Sequence, residues 1–242
     1  MEYGLQLYSI RDLTEKDFEG ALKRVAEIGY KMVETAGFFG HSAEEVDALM
    51  KKYGLKVCST HTGWEEVLKN TEETIAFHKA IGCENIIIPG AKVYNRKDIE
   101  EFIELVNIAQ PKIEAAGLKL GYHNHDAEFY IHGENGDLFV PYIELIERTD
   151  LLFEIDTYWA YVGGQKPAEL MEKMKDRLFF IHIKDGSRDG HGTPLGMGTA
   201  PAAEVYKKAV EMGIPMVVES ETCYPSGIAE AQFCYEFLIA QE

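Results

Sequence analysis

The 242-residue sequence predicts an α/β protein with a single domain, residues 1–242, folded as a (β/α)8 TIM barrel. Short apolar or β-branched runs alternate eight times with longer stretches of helical period. Several helices stop at a glycine just before the next run, because glycine accepts the left-handed conformation that ends a helix. Those glycines are Gly29, Gly54, Gly82, Gly117 and Gly213. Eight such units suit a barrel, whereas a doubly wound open sheet, the alternative, needs fewer strands.

Each predicted strand is a short, mostly apolar run, which suits strands buried on both faces. In chain order the strands are YGLQLYS (3–9), YKMVETA (30–36), LKVCSTH (55–61), NIIIPG (85–90), LKLGYHNH (118–125), LLFEIDT (151–157), LFFIHIKD (178–185) and PMVVESE (215–221).

The predicted helices follow these strands and have apolar residues at the helical period. In chain order they cover residues 17–28, 42–53, 71–81, 96–116, 141–148, 168–175, 202–212 and 228–241. Ser42 and Glu45 form a capping box, in which their side chains satisfy free backbone amides at the start of the second helix. Pro111 lies inside the fourth helix, so a kink or break is expected there.

Composition and charge exclude several classes of function. The net charge of −17 opposes binding to nucleic acid, which requires lysine and arginine to contact phosphates. We find no secretory leader and no run long enough to span a bilayer, so we expect a cytoplasmic protein without a membrane partner. The four cysteines form no CxxC pair and are expected to be reduced. The oligomeric state stays open, with a homo-oligomer among the alternatives.

The predicted strands end in polar residues, and in a barrel of this type the active site lies at the carboxyl ends of the strands. These residues are Gln6, Tyr8, Glu34, His61, His123, His125, Asp156, His182, Lys184, Glu219 and Glu221. Residues two positions apart on a strand point to the same side. Three such pairs occur at strand ends: His123 with His125, His182 with Lys184, and Glu219 with Glu221.

Imidazoles and carboxylates that meet in one pocket suit one divalent ion, such as Mn, Co, Fe, Zn or Mg. The predicted ligands are His123, Asp156, His182 and Glu219. Two of them have simpler alternatives, since Asp156 could cap the turn after its strand and His182 could be a core histidine. Glu219 is harder to explain in that way, because a lone buried carboxylate is costly.

Three further features of the sequence have both a functional and a structural interpretation. Trp64 and Trp159 could stack on a sugar or could pack within the structure. Glu154 is interpreted as a buried structural carboxylate that pairs with Lys184. The loop PLGMG, residues 194–198, is interpreted as a pair of loop glycines, because it is too short for a phosphate-binding fingerprint.

Seven motifs spread along essentially the whole chain are GLQLYSIRD, VETAGF, LGYHNHDAEF, IDT, HIKD, PLGMG and VVESET. Together they resemble the sugar phosphate isomerase/epimerase family, the xylose isomerase-like TIM barrels, and within it a subgroup with a YHNHD motif. The resemblance implies a metal-dependent enzyme with a small-molecule carbohydrate substrate. It also implies a metal held by a glutamate, an aspartate, a histidine and a second glutamate. Asp156, His182 and Glu219 match the last three, whereas His123 stands where the first glutamate is usual.

The change at His123 affects the implied chemistry. In the family's epimerases, two metal-bound glutamates on opposite sides of the sugar remove and return a proton. Here Glu219 would be the base, and His125 and Glu128 are the nearest candidates for the partner acid. Those epimerases also use a histidine three residues after the aspartate, where this sequence has Trp159.

Six residues are predicted to contact the substrate. Glu34 and His61 match positions that commonly do so in the family that the sequence resembles. The other four lie at or just beyond strand ends and are Trp64, Trp159, Lys184 and Glu221.

The sequence therefore predicts a divalent-metal-dependent sugar isomerase or epimerase that abstracts a proton next to the carbonyl of a keto sugar or polyol derivative. A metal-dependent dehydratase or lyase acting on keto sugars or 3-keto glycosides is an alternative, because elimination needs one base and one acid rather than two carboxylates. A catalytically inactive sugar-binding protein is a third interpretation. Whether the substrate is phosphorylated stays open at this point.

Overall fold

Eight parallel strands close into a barrel, in the order in which they occur along the chain. The structure is a computed structural model that describes residues 2–242. The strands are β1 (Gly4–Gln6), β2 (Met32–Ala36), β3 (Lys56–His61), β4 (Asn85–Ile88), β5 (Lys119–His123), β6 (Leu152–Asp156), β7 (Leu178–Ile183) and β8 (Met216–Val218). The last strand pairs with the first, so the predicted (β/α)8 TIM barrel is confirmed.

Helices connect the strands and cover the outside of the barrel. They are α1 (Arg11–Thr14), α2 (Phe18–Ile28), α3 (Ala43–Tyr53), α4 (Trp64–Lys69), α5 (Thr71–Ala80), α6 (Arg96–Ala115), α7 (Pro141–Arg148), α8 (Thr157–Val162), α9 (Pro167–Lys173), α10 (Ala202–Met212) and α11 (Gly227–Ile239). Eight of them match the predicted helices, whereas α1, α4 and α8 are short additions in the loops after β1, β3 and β6. None of the helices in residues 2–242 could serve as a membrane span, and the longest carries charged residues along its length.

Two local predictions in the helices have different outcomes. The capping box is present, since Ser42 accepts from the Glu45 amide and the Glu45 carboxylate accepts from the Ser42 amide. No break occurs at Pro111, because α6 continues past it to Ala115. The last turn contributes Ile113 to the core, and this packing outweighs the hydrogen bond that proline removes.

Two small hairpins lie in loops on the side of the barrel where the strands end. Residues 132–134 pair with residues 137–139 in the loop after β5, and residues 185–186 pair with 192–193 in the loop after β7. Neither hairpin was among the predicted elements. The first one turns at Asn135 and Gly136, which both have positive φ, as a two-residue hairpin turn requires.

The barrel interior is apolar at one end and polar at the other. A small apolar cluster drawn from four strands contains Cys58, Phe180 and Val217, with Met32 and Phe179 packed against it. Further along the same strands come residues such as Glu34 and His182, which are fully buried. The polar side chains that point into the barrel therefore lie at the carboxyl ends of the strands, and apolar side chains fill the barrel at the other end.

Candidate functional site

Strand register brings the four predicted metal ligands together at the carboxyl ends of β5 to β8. Asp156 lies beside His182 across the β6–β7 pair, and His123 ends the neighbouring strand β5. Glu219 follows β8 directly. One nitrogen or oxygen of each residue lies within 4.8 Å of the corresponding atom of the other three, and all four residues are buried.

The nitrogen and oxygen atoms of these four residues lie close to one another. His123 Nε2 lies 3.5 Å from Asp156 Oδ2. His182 Nδ1 lies 3.2 Å from Glu219 Oε2 and 4.0 Å from Asp156 Oδ2. We call these four residues the metal cluster.

Several atoms of the metal cluster lack a hydrogen-bond partner within residues 2–242. They are both ring nitrogens of His123 and the Oδ2 atom of Asp156. Leaving such polar atoms buried and unpaired is costly. His123 Nε2 and Asp156 Oδ2 face each other, and an ion bound between them would satisfy both. Two imidazoles and two carboxylates fit a divalent transition metal in their donor chemistry.

Asp156 also caps a helix, as its simpler interpretation predicted. Its Oδ1 atom accepts a hydrogen bond from the Trp159 amide at 2.8 Å, at the start of α8. The other oxygen faces His123. The two interpretations of Asp156 are therefore compatible, because each uses a different oxygen.

Glu34 supports His182 from the opposite side of the ring. His182 Nε2 lies 2.7 Å from Glu34 Oε1, and the Glu34 carboxylate also accepts from Gln6 at 2.6 Å and from Ser59 at 2.5 Å. Burial would raise the pKa of Glu34, but the His61 and His182 rings outweigh burial and lower it to about 2. A carboxylate that holds the second nitrogen of a metal-binding histidine fixes the orientation of its ring.

Glu154 lies beneath the metal cluster and has different partners from the predicted one. The predicted partner is Lys184, but the Glu154 Oε2 atom lies 2.9 Å from His61 Nε2 and 3.2 Å from His182 Nε2. Side chains alternate along β6, so Glu154 lies one step deeper in the barrel than Asp156. At that depth the rings of His61 and His182, rather than the Lys184 ammonium, contact its carboxylate. Its Oε1 atom has no partner within residues 2–242, and Glu154 joins His61, His123 and His182 in a second, overlapping group of donor atoms.

Lys184 brings a buried positive charge to the edge of the metal cluster. Its ammonium lies 3.3 Å from Glu219 Oε2, 3.8 Å from Asp156 Oδ2 and 2.5 Å from Glu221 Oε1. Burial opposes the charge, but these carboxylates raise the pKa of Lys184 above its usual value. In the same way, Lys184 and His182 overcome burial and hold the pKa of Glu219 well below its usual range.

The buried site has more negative than positive charge. Its carboxylates are Glu34, Glu154, Asp156 and Glu219, but burial and the nearby Glu34 raise the pKa of Glu154 well above its usual value, which favours its neutral form. The other three face two positive groups, the Lys184 ammonium and the His182 ring, whose pKa the surrounding carboxylates raise despite burial. Burial of several like charges is unfavourable unless a counter-charge compensates them. A divalent cation in the metal cluster would supply that charge.

A cavity of about 390 Å³ opens above the metal cluster. Its lining residues are Tyr8, Ala36, His61, Pro89, His123, His125, Glu219 and Glu221. Burial lowers the pKa of the His125 imidazole, and the nearby His123 lowers it further. The Trp159 ring lies 5.9 Å from that of His125 and 5.0 Å from the Lys184 ammonium, at the side of the cavity.

Glu128 and Trp64, two of the predicted site residues, lie away from both the metal cluster and this cavity. Glu128 is fully buried, and its carboxylate accepts from the hydroxyls of Tyr94 and Tyr122 and from the His125 amide. It lies on the helix side of β5, because Tyr122 packs against Phe102 of α6. The Trp64 ring also packs against Phe102, near the Lys69 ammonium, which matches its packing interpretation.

Comparisons with known proteins agree with this fold. A family model described as "Xylose isomerase-like TIM barrel" matches residues 22–235. The inosose dehydratase of Geobacillus kaustophilus is 26% identical over an alignment of 250 residues, gaps included, which covers 83% of this chain and 79% of that protein. The 2-oxo-tetronate isomerase of Haemophilus influenzae is 24% identical over 193 residues, which cover 70% of this chain and 74% of that protein.

A solved structure gives the same result at the level of the whole fold. A sugar phosphate isomerase/epimerase from Parabacteroides distasonis superposes with a TM-score of 0.85 at 25% sequence identity. The superposition covers 98% of this chain and 97% of that one.

Proposed function

Because this chain belongs to the xylose isomerase-like TIM barrel family, we propose that it is a divalent-metal-dependent isomerase or epimerase of a keto sugar or polyol derivative. Its chemistry would begin with removal of a proton next to the substrate carbonyl. The observation that carries the proposal is the metal cluster, in which unpaired buried donors of His123 and Asp156 converge beneath a sugar-sized cavity.

Glu219 is the proposed base. It lines the cavity, and its pKa is held well below the usual range, so its carboxylate is ionised. A divalent ion held by His123, Asp156, His182 and Glu219 would stabilise the negative charge that develops on the substrate oxygen. The Lys184 ammonium, 3.3 Å from Glu219 Oε2, would hold the carboxylate in position.

His125 is the proposed partner of Glu219. It reaches the cavity from the end of β5, three strands away from β8 around the barrel. A neutral imidazole has one donor and one acceptor nitrogen, so it can carry a proton between two substrate oxygens. Glu128, the other predicted acid, holds the His125 amide at 2.9 Å, and this contact supports a positioning role.

The remaining predicted contacts have different positions relative to the cavity. His61 and Glu221 line it directly and would bind substrate hydroxyls. Trp159 would cover one face of the sugar, an arrangement that suits an apolar ring face. Glu34 is buried behind His182, which supports a role in holding that ring.

Hydrogen exchange with solvent tests the proposal. Protein loaded in turn with Mn, Co, Fe, Zn or Mg is incubated with a panel of ketoses and keto-polyols in deuterated water. We expect deuterium to appear at the carbon next to the carbonyl with at least one metal, and only when metal is present. Absence of carbon-bound deuterium across the panel, in protein shown to contain stoichiometric metal, would overturn the proposal and leave the sugar-binding interpretation.

A dehydratase is the second candidate, and two observations favour it. One relative is an inosose dehydratase, and His123 lies at the position where the resemblance implies a second carboxylate. Elimination uses Glu219 as the base and needs an acid only for the leaving group. Mass spectrometry of the same reactions separates the two candidates, since a dehydratase or lyase product has lost water or an aglycone, whereas an isomerised product keeps the substrate mass.

A further inference from the structure

The segment after β8, residues 219–222, has different partners on its two sides. Glu219 and Glu221 line the cavity. On that side, Lys184 Nζ lies 3.3 Å from Glu219 Oε2 and 2.5 Å from Glu221 Oε1. The side chains between and after these two carboxylates, Ser220 and Thr222, make their hydrogen bonds to α11 instead. The segment therefore alternates between the cavity and the helix layer.

One carboxylate of α11 holds the outer side of this segment. Glu230 Oε1 accepts hydrogen bonds from the Ser220 hydroxyl and, at 2.7 Å, from the Thr222 hydroxyl. Glu230 is 2% exposed and lies in the first turn of α11, where the helix dipole stabilises a negative charge. Hydrogen bonds to a charged acceptor are stronger than those between neutral groups. Both hydroxyls are thus tied to one fixed point in the helix layer.

Glu230 is a costly residue for the stability of α11. Its second oxygen, Oε2, is buried and has no hydrogen-bond partner within residues 2–242. Burial of an unpaired carboxylate oxygen is unfavourable. Glu230 is also not the cap of the helix, because Ser226 Oγ accepts from the Ala229 amide at 3.2 Å. The carboxylate therefore serves the segment after β8 rather than the helix that carries it.

The main chain of the same segment is held by the loop after β1. The Ser220 amide donates to Ser9 Oγ at 3.0 Å, and Arg11 Nη2 donates to the Glu221 carbonyl at 2.7 Å. These contacts fix the path of the backbone, whereas Glu230 fixes the outward side chains. Because side chains of an extended segment alternate, holding the outward pair sets the direction in which the two cavity carboxylates point.

The other residue proposed to move a proton has a support of the same kind. His125 donates its amide to the Glu128 carboxylate at 2.9 Å. Glu128 is fully buried and also accepts from the hydroxyls of Tyr94 and Tyr122 in the helix layer. A buried carboxylate that does not line the cavity thus lies behind each of these two groups, Glu128 on one side of the barrel and Glu230 on the other.

We propose that Glu230 is a positioning residue that directs Glu219 and Glu221 into the cavity. The proposal rests on the proposed function in taking Glu219 as the base. Glu230 belongs neither to the metal cluster nor to the cavity lining, so it acts only through Ser220 and Thr222. Reacting groups need such support from residues behind them, because small errors in their position are costly in rate.

Substrate turnover separates positioning from stability. Deuterium incorporation into the substrate is measured for Glu230→Leu, Glu230→Gln and Leu238→Ala, a core change in the same helix, at saturating metal and a temperature at which all are folded. We expect kcat to fall about 100-fold in Glu230→Leu, the effect of a shift of about 1 Å in a reacting group. Glu230→Gln should recover part of the rate, because its amide oxygen still accepts from a hydroxyl. Leu238→Ala should melt at a lower temperature but keep the wild-type kcat. Equal kcat losses in Glu230→Leu and Leu238→Ala, or no loss in Glu230→Leu, would contradict the positioning role.

Backbone amide exchange tests the same role without a substrate. Mass spectrometry of the full-length protein should show the amides of residues 220–222 exchanging at least about 10-fold faster in Glu230→Leu than in the wild type or Leu238→Ala. Should Glu230→Leu fail to fold, Ser220→Ala and Thr222→Val each remove one hydroxyl donor and should show the same change to a smaller degree. Unchanged amide exchange in this segment would overturn the proposal. A wild type that turns over no substrate would contradict the proposed function alone, and amide exchange would then decide the role of Glu230.

Discussion

The two carboxylate oxygens of Asp156 have different partners, and this division links stability to function. Oδ1 caps α8 through the Trp159 amide, and Oδ2 faces His123 in the metal cluster. A substitution can therefore remove one contact and keep the other. The same reasoning separates Glu219, which faces the cavity, from Glu34, which holds His182 from behind.

Asp156→Asn and Asp156→Ala should differ in stability but not in metal binding. The asparagine keeps an oxygen for the Trp159 amide, so the metal-free variant should unfold near the wild type. The alanine loses the cap, which costs about 1 kcal/mol. Both should lose metal affinity by at least about 10–100-fold, because the charged ligand atom is gone. Denaturant unfolding with chelator and metal titration by calorimetry measure the two effects. Equal stability losses would contradict the capping role.

Glu219→Gln should abolish most of the proton abstraction. The amide cannot accept the proton, so the rate of solvent exchange at saturating metal should fall by about 10²–10⁴-fold. The measurement is deuterium incorporation by NMR, with metal content determined on the same sample. Glu104→Gln, an exposed change on α6, is the matched control. Exchange at the wild-type rate in Glu219→Gln would remove it from the role of base.

The convergence of His123, Asp156, His182 and Glu219 could be predicted from sequence because these residues lie at strand ends, and strand ends meet in a barrel. The partners of Glu154 could not be predicted in the same way, because strand alternation gives only the side to which a residue points and not which side chains reach it. Whether Lys184 or His61 reaches its carboxylate depends on register and on the depth of each side chain in the barrel. Glu128 was also hard to place, because the chain turns after His125 and carries its carboxylate to the helix side of β5.

The end of β5 shows how an element positions several groups at once. His123 points into the barrel and Tyr122 to the helix layer. Asn124 exchanges two hydrogen bonds with the backbone of Asp156, both at 3.2 Å, and so fixes the end of β5 to the end of β6. His125 then enters the cavity. Periodicity predicted the long elements, but the hairpin at 132–139 has strands too short for a periodic signal, and only its Asn135-Gly136 turn marked it.

A buried histidine between α5 and β3 should make stability depend on pH. His78 Nδ1 lies 2.7 Å from the Thr74 carbonyl and Nε2 lies 2.6 Å from the Thr60 hydroxyl, so the ring donates to one and accepts from the other. This arrangement suits the neutral form. Burial lowers the pKa of His78 below its usual value of 6.5, more than the Thr74 carbonyl raises it.

The direction of the pH effect on stability depends on whether the folded or the unfolded chain protonates His78 at the higher pH. Above pH 6.5 the ring is neutral in both states, and its hydrogen bonds contribute fully. As the pH falls below 6.5, the unfolded chain takes up the proton first and folding loses free energy. The stability difference between wild type and His78→Gln should therefore be smaller at pH 5.5 than at pH 7.5, by up to about 1.4 kcal/mol. A difference that is constant with pH, measured by denaturant unfolding, would contradict a neutral buried His78.

The two ends of the barrel differ in polarity. An apolar cluster fills one end of the barrel, and the carboxylates of the metal cluster lie at the other, beneath an open cavity. The net charge of −17 likewise favours cations over anions. Charge thus favours the same property as the local geometry, a bound divalent ion.

Metal removal should lower the stability of the whole protein, because the metal cluster joins four consecutive strands of the barrel. At a free metal concentration 100 times the dissociation constant, binding adds about 2.7 kcal/mol to the free energy of unfolding. For a chain of this length, that corresponds to a fall in melting temperature of roughly 5–10 °C on chelation. Differential scanning calorimetry with and without EDTA measures it.

His123→Ala should not respond to chelator, because it lacks the ligand on β5. An equal response in that variant would mean that the ion binds elsewhere, and no response in the wild type would mean that the buried carboxylates are compensated without one.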